Sequence, residues 1–275
     1  MCYDARQYAL KLEKMEAHYG GISSDRSAWN PSYSVSAFSQ GRIAALTANQ
    51  PYEIQMLKWG WYPRYALNLK ESKDREAAKK RTLNCRLDTL LENLKSRTHT
   101  IYKEVIDKPC IILMDGFFEY HTLANDSKVP YYISMKDCFT FPVAGFYNSW
   151  TEGGDPSRIH TGITLGTTGA NPLLKLVHNK PKFSTDLRMP AILLPEEMKK
   201  WLDISKPIEE RLSIIRSYPA GEMEAYTVVN FKKSGFKGSE TALEPLDYAI
   251  PGLPTRLDGA NLPSFISTGP QELFS

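Results

Sequence analysis

The most distinctive chemistry in the sequence belongs to Cys2, on the condition that Met1 is removed. Cys2 would then carry an α-amine and a thiol two carbons apart, with ordinary pKa values of about 8 and about 8.5. The amine of such a 1,2-aminothiol condenses with an aldehyde to a Schiff base. The thiol then adds to the same carbon and closes a five-membered thiazolidine. A cysteine at position two means little by itself, so other residues must supply the rest of a site.

Four residues suit that role. Glu119 stands among Phe117, Phe118 and Tyr120, just after the apolar run from Cys110 to Met114. Apolar surroundings disfavour the charged carboxylate, and a glutamate raised in this way can donate a proton near neutral pH. The bland alternative is a glutamate on the outer face of a strand. His178 closes a short helix that opens at Asn171-Pro172, and it is either a proton carrier or a structural histidine. Asn84 can donate and accept hydrogen bonds without changing charge, which suits orienting a substrate. Arg86, two residues on, suits a phosphate contact or a surface ion pair.

The elements that must carry these residues can be read from periodicity. Apolar groups at Ala5, Tyr8, Ala9, Leu12 and Met15 predict a helix from Asp4 to Tyr19. Cys2 would precede that helix start, where unpaired N–H groups favour a thiolate. Strands are predicted over 33–38, 42–47, 53–59, 110–114, 129–135, 138–147, 159–167, 189–194 and 225–231. Helices are predicted over 72–94 (interrupted near Thr82–Arg86), 171–178, 195–203 and 208–217. Many short strands with scattered helices predict an α+β fold, a single domain on a mainly antiparallel, barrel-like sheet with flanking helices. The aromatic stretch Trp59-Gly60-Trp61-Tyr62-Pro63 reads as core packing or as a stacking surface for bases. From about Lys237, five prolines punctuate a stretch of little periodicity, so residues 1–236 are expected to be the domain and 237–275 a surface extension.

Composition bounds the function. The chain has 275 residues and a net charge of +3, which permits nucleic-acid binding without demanding it. Four separated cysteines, with no CxxC pair, argue against a zinc site and a disulfide framework. No metal or cofactor is expected. The absence of a signal pattern and of a long apolar run predicts a cytoplasmic protein without membrane contact, and a monomer.

Taken in order, Met1-Cys2, Trp59-Gly60 with Pro63, Asn84 and Arg86 followed by Thr89, and Asp115-Gly116-Phe117-Phe118-Glu119 form a series. It continues through Ala144-Gly145-Phe146-Tyr147, Thr167-Thr168, Asn171-Pro172, His178 and Arg188-Met189-Pro190. The set resembles the SRAP family, the SOS-response-associated peptidase or abasic-site processing proteins. The resemblance implies binding to abasic sites in single-stranded DNA and a covalent thiazolidine crosslink through the mature N-terminal cysteine. An abasic-site lyase activity and self-processing peptidase activity come with it. By position it implies Cys2 as nucleophile, with Asn84, Glu119 and His178 as its catalytic partners. Arg86, Trp59 and Arg188 take the DNA-binding positions. The sequence departs from the pattern at Asp4, where many members carry arginine, at Tyr3 for glycine, at Cys85 for alanine and at Asp88 for glutamate. Arg6 is the candidate to replace the missing N-terminal cation. Two other classes fit the residues alone: a thiol peptidase or amidohydrolase using Cys2 and His178, and a non-enzymatic single-stranded DNA binder.

Overall fold

The computed structural model describes residues 4–7, 12–21, 23, 26–29, 32–38, 41–96, 100–151, 155, 157–180, 186–230 and 243–262. Cys2 lies outside the described residues. The strands are β1 (Asp4–Gln7), β2 (Ser32–Ser36), β3 (Arg42–Thr47), β4 (Gln50–Trp59), β5 (Asn84–Arg86), β6 (Pro109–Met114) and β7 (Gly116–Thr122). They continue as β8 (Lys128–Met135), β9 (Phe141–Thr151), β10 (Ile159–Gly169), β11 (Arg188–Pro190), β12 (Met223–Thr227) and β13 (Arg256–Asp258). The helices are α1 (Leu12–Tyr19), α2 (Ser72–Lys80), α3 (Leu90–Lys95), α4 (Pro172–Val177), α5 (Met198–Leu202) and α6 (Ile208–Leu212).

The fold is α+β, as the strand-rich pattern predicts. Strands β10, β4, β3, β6 and β9 pair in that order, and β9 pairs back onto β10 to close a barrel. Closure leaves these strands no open edge. Alternation along them divides the core. Ile43 and Ala45 of β3 and Cys110, Ile112 and Met114 of β6 join one apolar cluster, while Ala44, Leu46, Ile111 and Leu113 join another on the opposite side. This two-sided burial explains why β6 reads as an unbroken apolar run. Trp201 of α5 covers it, and its indole N–H donates to the Cys110 carbonyl at 2.9 Å. At the closing seam β9 and β10 approach closely. A Cβ on Gly166 would sit 2.4 Å from the Ala144 carbonyl oxygen, so only glycine fits there.

The second sheet is open, in the order β13-β12-β8-β7-β1-β2, and antiparallel throughout. One expectation is corrected here. Asp4–Gln7 is a strand, not the first turn of a helix. Its backbone groups pair with β7 (Asp4 opposite Phe118) and β2 (Asp4 opposite Ser36), and this sheet pairing outweighs the helical spacing. Among the described residues the first helix begins at Leu12, and the residues that follow Cys2 most closely, Asp4–Gln7, are strand. The C-terminal stretch, expected to lie extended on the surface, joins the same sheet. Residues 243–262 add β13 to the edge of this sheet and bury Leu257. Elsewhere the predicted helix over 208–217 contracts to Ile208–Leu212. The interruption near Thr82–Arg86 is β5, which pairs in parallel with β10. No helix among the described residues is long and apolar enough to cross a membrane.

Candidate active site

Glu119 and His178 meet. Glu119 sits on β7 opposite Tyr131 of β8 and is 5% exposed. His178 caps the C-terminus of α4, and its Nδ1 stands 3.4 Å from Glu119 Oε2. The angles are not those of a hydrogen bond, and Nδ1 bonds to nothing else among the described residues. Burial, with the charge of Lys128 adding to it, lowers the His178 pKa to about 4. The imidazole is therefore neutral at pH 7, and the pair is a neutral base beside a carboxyl group, not an ion pair.

Local sequence explains why the pair is held. The Asn171 side chain accepts from the Leu174 N–H at 2.9 Å, and Pro172 occupies the first turn, so α4 starts at a fixed point. Leu173, Leu174 and Val177 are fully buried and fix its face. Its far end is stitched to β7 by Asn179. The Asn179 amide accepts from the Thr122 N–H at 2.8 Å and donates to the Thr122 carbonyl at 2.9 Å and to His121 Nε2 at 3.2 Å. Since Nε2 accepts, the His121 proton resides on Nδ1, which donates to the Leu176 carbonyl at 3.0 Å. Sequence reasoning missed Asn179 and His121; the short spacing of Asn179 from His178 was the available signal.

Tyr120 and Asp4 border the pair. Asp4 is 2% exposed and paired with Phe118, the residue before Glu119. Burial, and then the carboxylates of Asp4 and Glu119 and the Tyr248 phenol, hold the Tyr120 hydroxyl above its ordinary pKa. Asn84 lies on β5, which pairs with β10 of the barrel. Its backbone carbonyl accepts from the Tyr102 hydroxyl at 2.6 Å, while both polar atoms of its side chain are buried and bond to nothing among the described residues. An amide left unsatisfied in this way costs about 1–3 kcal/mol, a cost a ligand would remove.

The cations predicted to meet DNA are mostly committed. Arg188 is 3% exposed, grips Asp88 through two bonds of 3.0 and 2.7 Å, and donates to the Thr167 carbonyl and hydroxyl at 2.8 and 3.1 Å. Its donors are engaged within the protein, and the contacts it makes are those of a brace between β11, β10 and Asp88. Arg6 likewise meets Asp115 at 3.6 Å and the Tyr132 hydroxyl at 3.2 Å. Arg86 is half-exposed and paired with Asp186 at 3.0 Å, a surface pair that a phosphate can displace. Trp59 is fully buried, and its indole N–H donates to the Leu83 carbonyl at 2.9 Å. It has no face for a base; the packing reading is the one its position supports.

The sequence model described as "SOS response associated peptidase (SRAP)" matches residues 1–231. The "Abasic site processing protein YoqW" of Bacillus subtilis (strain 168) is 32% identical over 218 residues, covering 78% of this chain and 87% of that protein. "Abasic site processing protein YoaM" of the same organism is 31% identical over 218 residues, with 78% and 86% covered. Among solved structures, a Bacteroides thetaiotaomicron protein superimposes with a TM-score of 0.72 at 30% identity, over 88% of this chain and 99% of that one. A Bordetella bronchiseptica protein at 21% identity shares the fold with a TM-score of 0.64, over 83% and 100%.

Proposed function

Because the chain belongs to the SOS response associated peptidase (SRAP) family, we propose that it processes abasic sites in single-stranded DNA by forming a covalent thiazolidine through Cys2. The observation that carries the reading is the Glu119–His178 pair, 3.4 Å apart, with Glu119 on the strand that pairs with β1 and His178 at the end of α4. Asp4 lies opposite Phe118. Two residues span at most about 7 Å, so covalent geometry alone keeps Cys2 within reach of this neighbourhood.

The chemistry proceeds as follows. An abasic deoxyribose is mostly a closed hemiacetal, and opening it needs a proton delivered to the ring oxygen and one removed from the anomeric hydroxyl. Neutral His178 accepts a proton at Nδ1, and Glu119 relays it. The α-amine of Cys2 attacks the exposed aldehyde, and water leaves to give a Schiff base. The thiol then adds across C=N, its proton passing to the nitrogen, so the net change is the loss of one water. Ring closure removes the iminium that would otherwise acidify the neighbouring C2′ proton and cut the strand by β-elimination. The same centre thus has a lyase side reaction and protects the strand. The unsatisfied Asn84 amide has the donor and acceptor to hold the open sugar or its phosphate, and Arg86 supplies a displaceable cation.

The test is incubation with a single-stranded oligonucleotide carrying one abasic site, followed by a denaturing gel. Wild type is expected to give a shifted band that an intact oligonucleotide does not give. Glu119→Gln is expected to slow its appearance by about 10²–10⁴-fold. Absence of any shifted band with wild type would overturn the reading.

A further inference from the structure

We propose that residues 243–262, beyond the matched domain, are a positioning strap for the Glu119–His178 pair, acting through Tyr131 and Tyr248. This rests on the abasic-site reading for its consequence in catalysis, but not for its geometry.

The strap makes two contacts that bear on β8, the strand paired with the Glu119 strand β7. Tyr131, directly opposite Glu119, donates its hydroxyl to the Pro254 carbonyl at 2.5 Å. Tyr248 donates to the Val228 carbonyl at 2.7 Å, the Val228 N–H donates to the Pro130 carbonyl at 3.1 Å, and Pro130 lies opposite Tyr120. The two β8 residues facing Glu119 and Tyr120 are thus tied, one directly and one through Val228, to the same segment.

The segment is itself anchored. The Thr227 N–H donates to the Thr255 carbonyl at 2.9 Å, the Leu246 N–H donates to the Thr227 carbonyl at 2.9 Å, and β13 pairs with β12. Leu243 packs on the cluster of Phe118, Tyr132 and Val228, while Ile250 and Leu253 pack on the main core. Tyr131 is buried, so its hydroxyl needs a partner, and among the described residues the strap supplies it. Losing this bond frees the side chain of the residue opposite Glu119 from its anchor, and β8 can shift there. Such a shift changes the Glu119–His178 separation and admits water to the imidazole.

The experiment uses the full chain with Tyr131→Phe, Tyr248→Phe and the double variant, each of which keeps the ring and removes only a hydroxyl. Two readouts are taken: the rate of crosslinking to abasic single-stranded DNA, and the titration of His178 by NMR without DNA. The double variant is expected to crosslink roughly tenfold more slowly and to titrate His178 above the wild-type midpoint, toward the ordinary imidazole value. Lowered stability with an unmoved His178 midpoint and a wild-type rate would overturn the proposal, because a purely structural strap predicts that result. If wild type itself forms no crosslink, the abasic-site reading fails, while the His178 midpoint still decides the strap.

Discussion

Replacing Asp88 with alanine tests whether Arg188 is a brace or a DNA contact. Asp88 accepts two bonds from Arg188, at 3.0 and 2.7 Å, and the arginine side chain is 4% exposed. Removing one partner of a fully buried pair costs about 3–5 kcal/mol, because a charge is left uncompensated. Two features reduce the figure here. The Asp88 side chain is 31% exposed, so water already screens the pair, and Arg188 keeps both bonds to Thr167. The expected loss is about 2–3 kcal/mol, or a fall of roughly 4–10 °C in midpoint for a chain of this size. Denaturant unfolding of wild type, Asp88→Ala, Arg188→Met and the double variant measures it, and the double variant should be about 1–2 kcal/mol more stable than the sum of the singles. The same samples decide the DNA question. Loss of one phosphate contact would reduce the slope of log K against log salt by about 0.7 for a single strand. Arg188→Met should leave that slope unchanged. A reduced slope with unchanged stability would refute the assignment of Arg188 as a brace.

Trp59→Phe should lower stability by about 1–3 kcal/mol, through lost packing of a fully buried indole and one of the two bonds that the Leu83 carbonyl accepts, the other coming from the Leu165 N–H, with single-stranded DNA affinity of the folded protein unchanged in a binding titration. Gly166→Ala should cost about 1–3 kcal/mol or more by pushing β9 from β10, read as a fall in the denaturant midpoint; a neutral effect would contradict the tight barrel seam. The His178 pKa is about 4 in the folded chain against about 6.5 when unfolded. Its contribution to stability is therefore complete above about pH 6.5 and is lost as pH falls toward 4, because the unfolded chain takes up the proton first. Unfolding midpoints from pH 7 to 4 should fall less steeply for His178→Gln than for wild type.

Most of the fold was legible because the barrel strands carry their own signal. Arg42–Thr47 has the predicted boundaries, and β6, β10 and, in the open sheet, β8 differ by a residue or two, since runs of buried residues mark where each strand begins and ends. The N-terminal strand was not legible. Asp4–Gln7 is too short for a period of its own, and only pairing with distant β7 makes it a strand. The C-terminal strap was obscured by its prolines, although three residues, Arg256–Asp258, suffice to extend a sheet. In the site, the meeting of Glu119 and His178 was visible as two residue types but not as a contact, because 59 residues of chain separate them. Arginines gave the poorest guide. Arg188 looks the same in sequence whether it faces a phosphate or Asp88, and only burial distinguishes the two. Asn84 is a polar side chain on a strand whose two polar atoms find no hydrogen-bond partner among the described residues.

The central claim is a covalent bond from the amine and thiol of Cys2 to an abasic sugar. Its most direct measurement is mass spectrometry of the protease-digested conjugate, formed with and without borohydride. The account predicts an N-terminal peptide that lacks Met1 and carries the sugar with the loss of one water. It predicts resistance to borohydride reduction once the thiazolidine has closed, and a reducible Schiff base in Cys2→Ser. A conjugate carried by any other peptide, or one that retains Met1, would contradict it.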